Sequence, residues 1–187
     1  MARWDSGTEG RLVQAALELF TECGYDDVTV THIAERAGIT RRSYFRYFPD
    51  KREVLFAGSD KLPPALAEAV LAADESAAPL PAVLAAFAQV GSRLVDSIDH
   101  ATERRAVIDA SLELQERERT KLAALADAAR KALRKRGVHD DHAKLVAQIA
   151  TIAFQNAFER WLAAHGERDF ASCLQTITDS LRSALPT

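Results

Sequence analysis

Glycine and proline divide this chain of 187 residues into segments of helical length. The chain holds 35 alanines but only 8 glycines and 6 prolines, and alanine has the highest intrinsic helix propensity of all residues. Because glycine and proline end helices, their positions mark the boundaries between them. The pattern therefore predicts an all-α fold of about nine helices and excludes an all-β or collagen-like chain.

The predicted helices are short at the amino-terminal end and longer beyond it. Pro63 and Pro64 interrupt the fourth helix, which we expect to break or to be kinked there. Side chains that can cap a helix precede several of the segments. The helices are predicted at residues 7–23, 29–37, 41–48, 51–73, 81–98, 102–111, 112–136, 140–165 (before Gly166) and 169–185, with caps at Thr29, Thr40, Asp50, Asp140 or Asp141, and Asp169.

The positive charge of the chain is concentrated in one segment. Residues 36–52 hold six cationic side chains and one anionic one, a net charge of +5, whereas the whole chain carries −3. A basic segment in an otherwise acidic protein favours a confined contact with a polyanion.

The remaining composition favours a cytoplasmic protein. Cys23 and Cys173 lie among apolar residues at helical spacing, which indicates buried thiols in place of a disulfide. Residues 1–5 lack the apolar stretch of a signal peptide, and charges and prolines interrupt the apolar region 66–90, so we expect no membrane contact. We also expect no metal, no cofactor and no enzymatic activity, since the sequence holds no nucleophile–base set, no metal-ligand spacing and no phosphate loop.

Residues 29–48 have the pattern of a helix-turn-helix. Two short helices flank a turn in which Gly38 provides the positive φ that the turn requires. On the second helix, Tyr44 and Phe48 share one face, and Arg42, Phe45 and Arg46 share the other. An inner aromatic face and an outer basic face suit insertion into the major groove of DNA. The alternative is that the arginines are simply a solvated helix face.

The same residues resemble the amino-terminal domain of the tetracycline-repressor (TetR) family of bacterial transcriptional regulators. The resemblance covers about the first 55 residues, and its centre is the run Ala37-Gly38-Ile39-Thr40-Arg41-Arg42-Ser43-Tyr44-Phe45-Arg46-Tyr47-Phe48-Pro49-Asp50-Lys51. It implies a three-helix DNA-binding domain, which we place at residues 1–52. A helical bundle for ligand binding and dimerisation is then expected at residues 53–187.

The resemblance also implies roles for individual residues. Base edges would be read by Thr40, Arg41, Arg42 and Ser43, and phosphates would be held by Thr29, Tyr47 and Lys51. Phe45 stands where the family frequently has a tyrosine whose hydroxyl meets a phosphate. A phenylalanine cannot donate that hydrogen bond, so the phosphate is either not held from this position or is held by Tyr44 or Arg46.

The helix predicted at residues 140–165 carries two nearly opposite apolar faces. A surface helix of a monomer needs only one, so the second face favours a homodimer made by the last two helices of each chain. The alternative is a central helix in a monomeric bundle. The candidate interface residues are Ile149, Ile152, Asn156, Ile177 and Leu181, and Asn156 sets the register across the dimer, lines a cavity or lies in a hydrated gap.

A ligand pocket is expected inside the carboxy-terminal bundle, near Phe87, Phe154, Phe158 and Trp161. The stretches 111–133 and 158–162 are similar to family members that bind acyl-CoA-like ligands, which implies an apolar or amphipathic effector. The sequence thus predicts a ligand-responsive regulator, more readily a repressor than an activator, that binds a palindromic DNA operator as a homodimer. The alternative function is a helical ligand-binding or scaffold protein without a DNA role.

Overall fold

The computed structural model describes residues 6–165 and 167–184. The residues that argue against a signal peptide, the glycine at 166 and the expected last helix end at Leu185 lie outside this part of the chain. Within it, the fold is all-α as predicted, and no helix is long and apolar enough to span a bilayer. The α-helices of this part are α1 (Ser6–Cys23), α2 (Val30–Arg36), α3 (Arg41–Tyr44), α4 (Leu62–Leu71), α5 (Pro79–Val95), α6 (Ala101–Asp109), α7 (Leu112–Lys135), α8 (Asp140–Ala163) and α9 (Phe170–Ala184).

The chain packs into two compact units. Of the described residues, those up to Gly58 form the first unit together with His100–Glu118, and the second unit takes Ser59–Asp99 and the residues from Arg119 onward. The packing therefore differs from the expected boundary at residue 52, since α6 and the start of α7 join the first unit. The functional assignment of the two segments stays a prediction.

The core of the first unit forms around α1, whose apolar residues recur at helical spacing. Leu12, Ala16 and Phe20 are buried, as the period of 3.6 residues requires. Val107 and Ile108 of α6 lie in the same cluster, which explains why this later segment belongs to the first unit. Cys23 is exposed, so the prediction of a buried thiol is wrong there, because the last turn of α1 extends past this core. Cys173 is buried as predicted.

The helix α3 is shorter than the sequence predicts. It ends at Tyr44 instead of Phe48, and the backbone N–H groups of Tyr47 and Phe48 both donate to the Tyr44 carbonyl as the chain tightens into a turn. Pro49 contributes to this early end, since a proline restricts the residue before it to extended conformations.

The prediction that the fourth helix begins at Lys51 and runs to Lys61 is wrong. Two short 3-10 helices, Glu53–Phe56 and Ser59–Lys61, take its place, with Gly58 at φ +74° between them. Asp50 does cap the turn, because its carboxylate accepts the N–H groups of Arg52 and Glu53 at 2.9 and 3.2 Å. The helix α4 then begins at Leu62 with both prolines in its first turn, where a missing N–H costs nothing.

The core of the second unit is built on α5, α8 and α9. The ring centroids of Phe87 and Phe154 lie 4.9 Å apart, and those of Phe154 and Phe170 lie 5.5 Å apart. Gly91 of α5 permits this packing, because a Cβ built there would lie only 2.1 Å from the Phe170 ring. These buried side chains fix the three helices against one another.

Of the caps predicted for the last two helices, the structure confirms the one of α9 and contradicts the one of α8. Asp169 accepts the Ser172 N–H at 2.9 Å, as predicted for the start of α9. Asp140 and Asp141 lie inside α8 and do not cap it. Asp140 instead pairs with Arg130 and Arg134 at 2.6 and 2.7 Å, and hydrogen bonds from these two guanidinium groups hold the pKa of its carboxyl well below the usual range.

Candidate nucleic-acid interface

The turn between α2 and α3 has the geometry that the sequence predicts. Gly38 has φ +72°, a left-handed conformation that glycine adopts without a steric penalty. The N–H of Gly38 donates to Glu35, and that of Ile39 donates to Ala34 at 2.9 Å. These bonds satisfy carbonyls at the end of α2 and turn the chain into α3. A helix-turn-helix results.

The inner face of this motif is aromatic and buried. Tyr44 is 0% exposed and Phe48 is 5% exposed, with their ring centroids 5.7 Å apart. The Tyr44 hydroxyl donates to the Asp50 carbonyl at 2.9 Å, and burial, together with the nearby Asp50 and Glu53, raises the pKa of Tyr44 above its usual range. The prediction that Tyr44 touches DNA is therefore wrong, because its side chain belongs to the core. Of the alternatives for the phosphate contact at position 45, its loss and its transfer to Arg46 stay predictions.

The outer face is basic and exposed. Arg41, Arg42 and Arg46 all project into solvent, and within residues 6–165 and 167–184 none of them forms a salt bridge. Phe45 lies among them with 45% of its surface exposed, and the Arg41 guanidinium carbon is 5.2 Å from its ring centroid. Guanidinium groups in this state can donate to guanine O6 and N7 or to phosphates, and an exposed ring can contact a thymine methyl group.

Hydroxyl groups stand at the start of both helices. Thr40 accepts the Ser43 N–H at 3.1 Å, and the two hydroxyl oxygens lie 2.9 Å apart. Thr29 accepts the His32 N–H at 3.2 Å, and the His32 ring accepts the Thr29 N–H in return. Both predicted caps are thus confirmed, and the reciprocal part played by His32 is one that the sequence analysis missed. Thr29 and Thr40 are exposed, while Ser43 is half-buried.

The other cations of the segment are engaged within the protein. The Lys51 ammonium donates to the carbonyls of Tyr25, Val28 and Asp26 at 2.8, 3.1 and 3.4 Å. Arg52 pairs with Asp50 at 2.7 Å and with Glu113 at 3.4 Å. Lys51 therefore does not project from the surface as the family resemblance implies.

Two more residues near the motif are tied to neighbouring elements. Arg36 pairs with Glu18 and Glu22 of α1 at 3.4 and 2.9 Å. Tyr47, the remaining predicted phosphate contact, is half-buried and packs against the core of the first unit. Arg117 at the start of α7 pairs with Glu53, a contact between residues 64 positions apart that no local sequence pattern reveals.

The residues predicted to line a ligand pocket lie in the second unit. Phe87 and Phe154 are in the packed core, so side chains fill the space that the prediction gave to a ligand. Phe158 and Trp161 are half-buried, with ring centroids 5.6 Å apart. A cavity of about 390 Å³ lies elsewhere, between α4 and α7, and is lined by Pro63, Pro64, Ala67, Leu71, Ala124, Asp127, Ala128, Lys131, Ala132 and Lys135.

Of the residues predicted at a dimer interface, Ile149, Ile152 and Asn156 lie on the side of α8 away from the core, whereas Ile177 of α9 packs against the core of the second unit. Ile152 is 61% exposed, and Leu145, about two turns before it on α8, is 56% exposed. Ile149, Ile177 and Leu181 are half-buried. Asn156 is exposed and donates to the Ile152 carbonyl at 2.9 Å. The opposite face of α8, which includes Ala147, Ala150 and Phe154, is buried in the core of the second unit.

Residues 12–57, which hold the whole helix-turn-helix, match the family described as bacterial regulatory proteins, tetR family. The amino-terminal region of this chain is thus a TetR-family domain. Among curated relatives, the HTH-type transcriptional regulator TcmR of Streptomyces glaucescens is 35% identical over 89 residues, which are 48% of this chain and 39% of TcmR. The chain spans about half the length, or less, of the first curated relatives that it matches.

Solved structures of similar fold cover nearly the whole chain. The SmeT–triclosan complex aligns with a TM-score of 0.61 at 19% identity, over 92% of this chain and 90% of that one. FadR from Bacillus subtilis in complex with stearoyl-CoA aligns with a TM-score of 0.58 at 18% identity, over 95% of this chain and 99% of that one. At these identities the likeness shows that this chain shares its fold with both structures.

Proposed function

We propose that this protein is a transcriptional regulator, specifically a repressor, that binds duplex DNA in the bacterial cytoplasm through the outer face of α3. One observation supports this proposal above all others. Arg41, Arg42 and Arg46 project from a buried aromatic face, and no acidic side chain of the described residues neutralises them. Exposed guanidinium groups on a helix-turn-helix suit the major groove, where Arg pairs with guanine O6 and N7.

The test is a selection of bound sequences from a pool of random duplexes, followed by footprinting of the selected site. We expect a palindromic site, and an affinity that falls steeply as the salt concentration rises. The matched control is the triple variant Arg41→Ala, Arg42→Ala, Arg46→Ala, which keeps the aromatic core and removes the outer charge. Selection of no duplex by the wild-type protein would refute the proposal. A reporter gene behind the selected site then distinguishes repression from activation.

We further propose that the protein binds DNA as a homodimer through the exposed side of α8 and α9. The support is the apolar side chains of Leu145 and Ile152, which the second unit leaves exposed on the face opposite its core. A dimer would present two copies of α3 to successive major grooves about 34–36 Å apart, which accounts for a palindromic operator.

Sedimentation measurements test the dimer. We expect Ile152→Asp to shift the protein toward the monomer, because a charge on an apolar interface loses its hydration without gaining a partner. Leu112→Asp is the matched control, since Leu112 is 80% exposed but lies on α7. If Ile152→Asp leaves a dimer of unchanged strength, the interface lies elsewhere, and a monomeric wild-type protein would end this part of the proposal.

An apolar or amphipathic effector completes the proposed function. Two proteins of similar fold are described in complex with triclosan and with stearoyl-CoA. The cavity between α4 and α7 has a volume of about 390 Å³, and its mostly apolar lining also includes Asp127, Lys131 and Lys135. Its volume is within the range of small-molecule sites. An effector lowers operator affinity only as far as it binds the DNA-free state more tightly.

The effector proposal is tested with stearoyl-CoA and triclosan as probes in the operator-binding assay. We expect one of them to release the DNA from the wild-type protein. Ala128→Trp should fill the cavity and abolish the release, whereas Ala123→Trp, at an exposed position of α7 that does not line it, should not. Equal release from both variants would place the effector in another part of the second unit.

A further inference from the structure

Lys51 is the most completely bonded cation of the basic segment. An ammonium group carries three hydrogen-bond donors, and three carbonyls lie within 3.4 Å of Nζ. The same nitrogen lies 4.0 Å from the centroid of the Tyr25 ring, at a distance typical of a cation–π contact. These protein groups use the capacity of Lys51 to donate, so little is left for a DNA phosphate.

The three carbonyls belong to one loop, residues 24–28, which joins α1 to α2. Tyr25 and Val28 are 6% and 2% exposed, and the Tyr25 ring packs against Phe20 with a centroid distance of 5.2 Å. The loop is thus anchored to the core on one side and to Lys51 on the other. Val28 directly precedes Thr29, the residue that caps α2.

The residue before Lys51 is tied to α3. The Asp50 carbonyl accepts the hydroxyl of Tyr44, whose ring forms the buried side of α3. A continuous chain of contacts therefore runs from Thr29, through the Val28 carbonyl, Lys51 and Asp50, to Tyr44. It connects the start of α2 with the end of α3, the two points that set how far apart Thr29 and the exposed arginines lie.

We propose that Lys51 is a positioning residue that fixes the spacing of the DNA-contacting groups from inside the protein, in place of the phosphate contact that the family resemblance implies. The inference rests on the proposed DNA-binding function. The chain uses a cation in the same manner in the second unit, where Arg136 donates to the carbonyls of Val70 and Ala73 at the end of α4, at 3.1 and 2.7 Å. The Arg136 guanidinium spreads its bonds over two nitrogens, whereas the three carbonyls near Lys51 converge on one nitrogen, an arrangement that suits a compact ammonium.

The experiment compares Lys51→Met, which keeps the apolar stem, with Arg46→Met, which removes an exposed cation. The thermal midpoint of each DNA-free protein is measured first. Operator affinity is then measured over a range of salt concentrations, at a temperature where all variants are folded. For Lys51→Met we expect a midpoint lowered by about 3–6 °C, an affinity lowered about tenfold, and a salt slope equal to that of the wild type. For Arg46→Met we expect an unchanged midpoint and a slope reduced by about 0.9 for each phosphate that the arginine neutralises in the wild type.

Lys51→Arg separates the two roles even if Lys51→Met fails to fold. A phosphate contact would survive this change, while the internal contact would not, so we expect a lowered midpoint and a weakened affinity. An unchanged midpoint with a reduced salt slope in Lys51→Met would assign Lys51 to a phosphate and overturn the proposal. A lowered midpoint with unchanged affinity would also overturn it, since Lys51 would then stabilise the fold without positioning the DNA-binding groups. Absence of DNA binding by the wild-type protein would refute the proposed function, whereas the midpoints report on the bonds of Lys51 independently.

Discussion

The six cations of residues 36–52 divide into two groups that differ in what surrounds them. Arg41, Arg42 and Arg46 are exposed and form no salt bridge in the described part of the chain. Arg36 and Arg52 are held by carboxylates, and Lys51 is held by backbone carbonyls. Half of the charge that makes this segment basic is therefore used inside the protein. The comparison teaches that the number of cations in a segment overstates the charge that it can offer to DNA.

The largest loss of stability is expected from a change in the buried aromatic face of α3, which lies beneath the three exposed arginines. Tyr44→Ala removes a fully buried ring from beneath the exposed arginines, and we expect the free energy of unfolding to fall by about 3–5 kcal/mol. Chemical denaturation measures the change. Phe45→Ala is the matched control. The Phe45 ring is next to Tyr44 in the sequence but 45% exposed, so its removal should lower the free energy of unfolding by less than about 0.5 kcal/mol. Similar losses for the two variants would contradict the division of α3 into inner and outer faces.

Removal of one exposed cation should change recognition without changing stability. For Arg42→Ala we expect operator affinity to fall by about 1–3 kcal/mol and base preference to relax at one position of each half-site. Binding titrations against the selected operator and its single-base variants measure both. If all sequences weaken equally, Arg42 contacts a phosphate and not a base.

Removal of an arginine that is paired within the protein should instead lower stability. Arg117→Ala breaks the ion pair with Glu53, whose side chain is only 14% exposed. We expect the free energy of unfolding to fall by about 1 kcal/mol, a value between those of exposed and fully buried pairs. Arg41→Ala, at an exposed position, serves as the control in the same denaturation series and should leave stability unchanged. An equal loss in both variants would erase the distinction between the two groups of cations.

The smallest effect is expected at Arg36, and its sign depends on pH. The hydrogen bond from Arg36 lowers the pKa of the Glu22 carboxyl, so this pair stabilises the folded protein above the pKa of Glu22 in the unfolded chain. That contribution is lost as the pH falls through the lowered value. We expect Arg36→Ala to reduce the thermal midpoint slightly at neutral pH, and the difference from the wild type to disappear well below about pH 4. A difference that persists in acid would mean that Arg36 acts through packing.

Local sequence rules predicted most of the fold and the outline of the site. The caps at Thr29 and Thr40, the left-handed Gly38 and the buried faces of Tyr44 and Phe48 all follow from contacts within a few residues. Helix propensity and the positions of glycine and proline determined these features, because both act through the nearby backbone.

Features that depend on distant parts of the chain were not predictable in this way. The hydrogen bonds of Lys51 join residues 23 to 26 positions apart, and the pair between Arg117 and Glu53 joins residues 64 positions apart. The end of α3 at Tyr44 and the 3-10 helices after Asp50 also differ from the prediction, since the Asp50 carboxylate and the Tyr44 hydroxyl hold this turn. Helical periodicity carries no information about such bonds. It likewise could not show that the rings of Phe87 and Phe154 close the space expected for a ligand.

The first unit draws its core from two separate stretches of the chain. Val107, Ile108 and Leu114 are buried with the side chains of α1, so an excised fragment that stops at Gly58 would expose the apolar surface that they cover. A chimera that carries this first unit therefore needs both stretches, with junctions near residues 58, 100 and 118. A chimera with a single junction near residue 58 would contain the exposed arginines but lack Val107, Ile108 and Leu114, which complete the core beneath them.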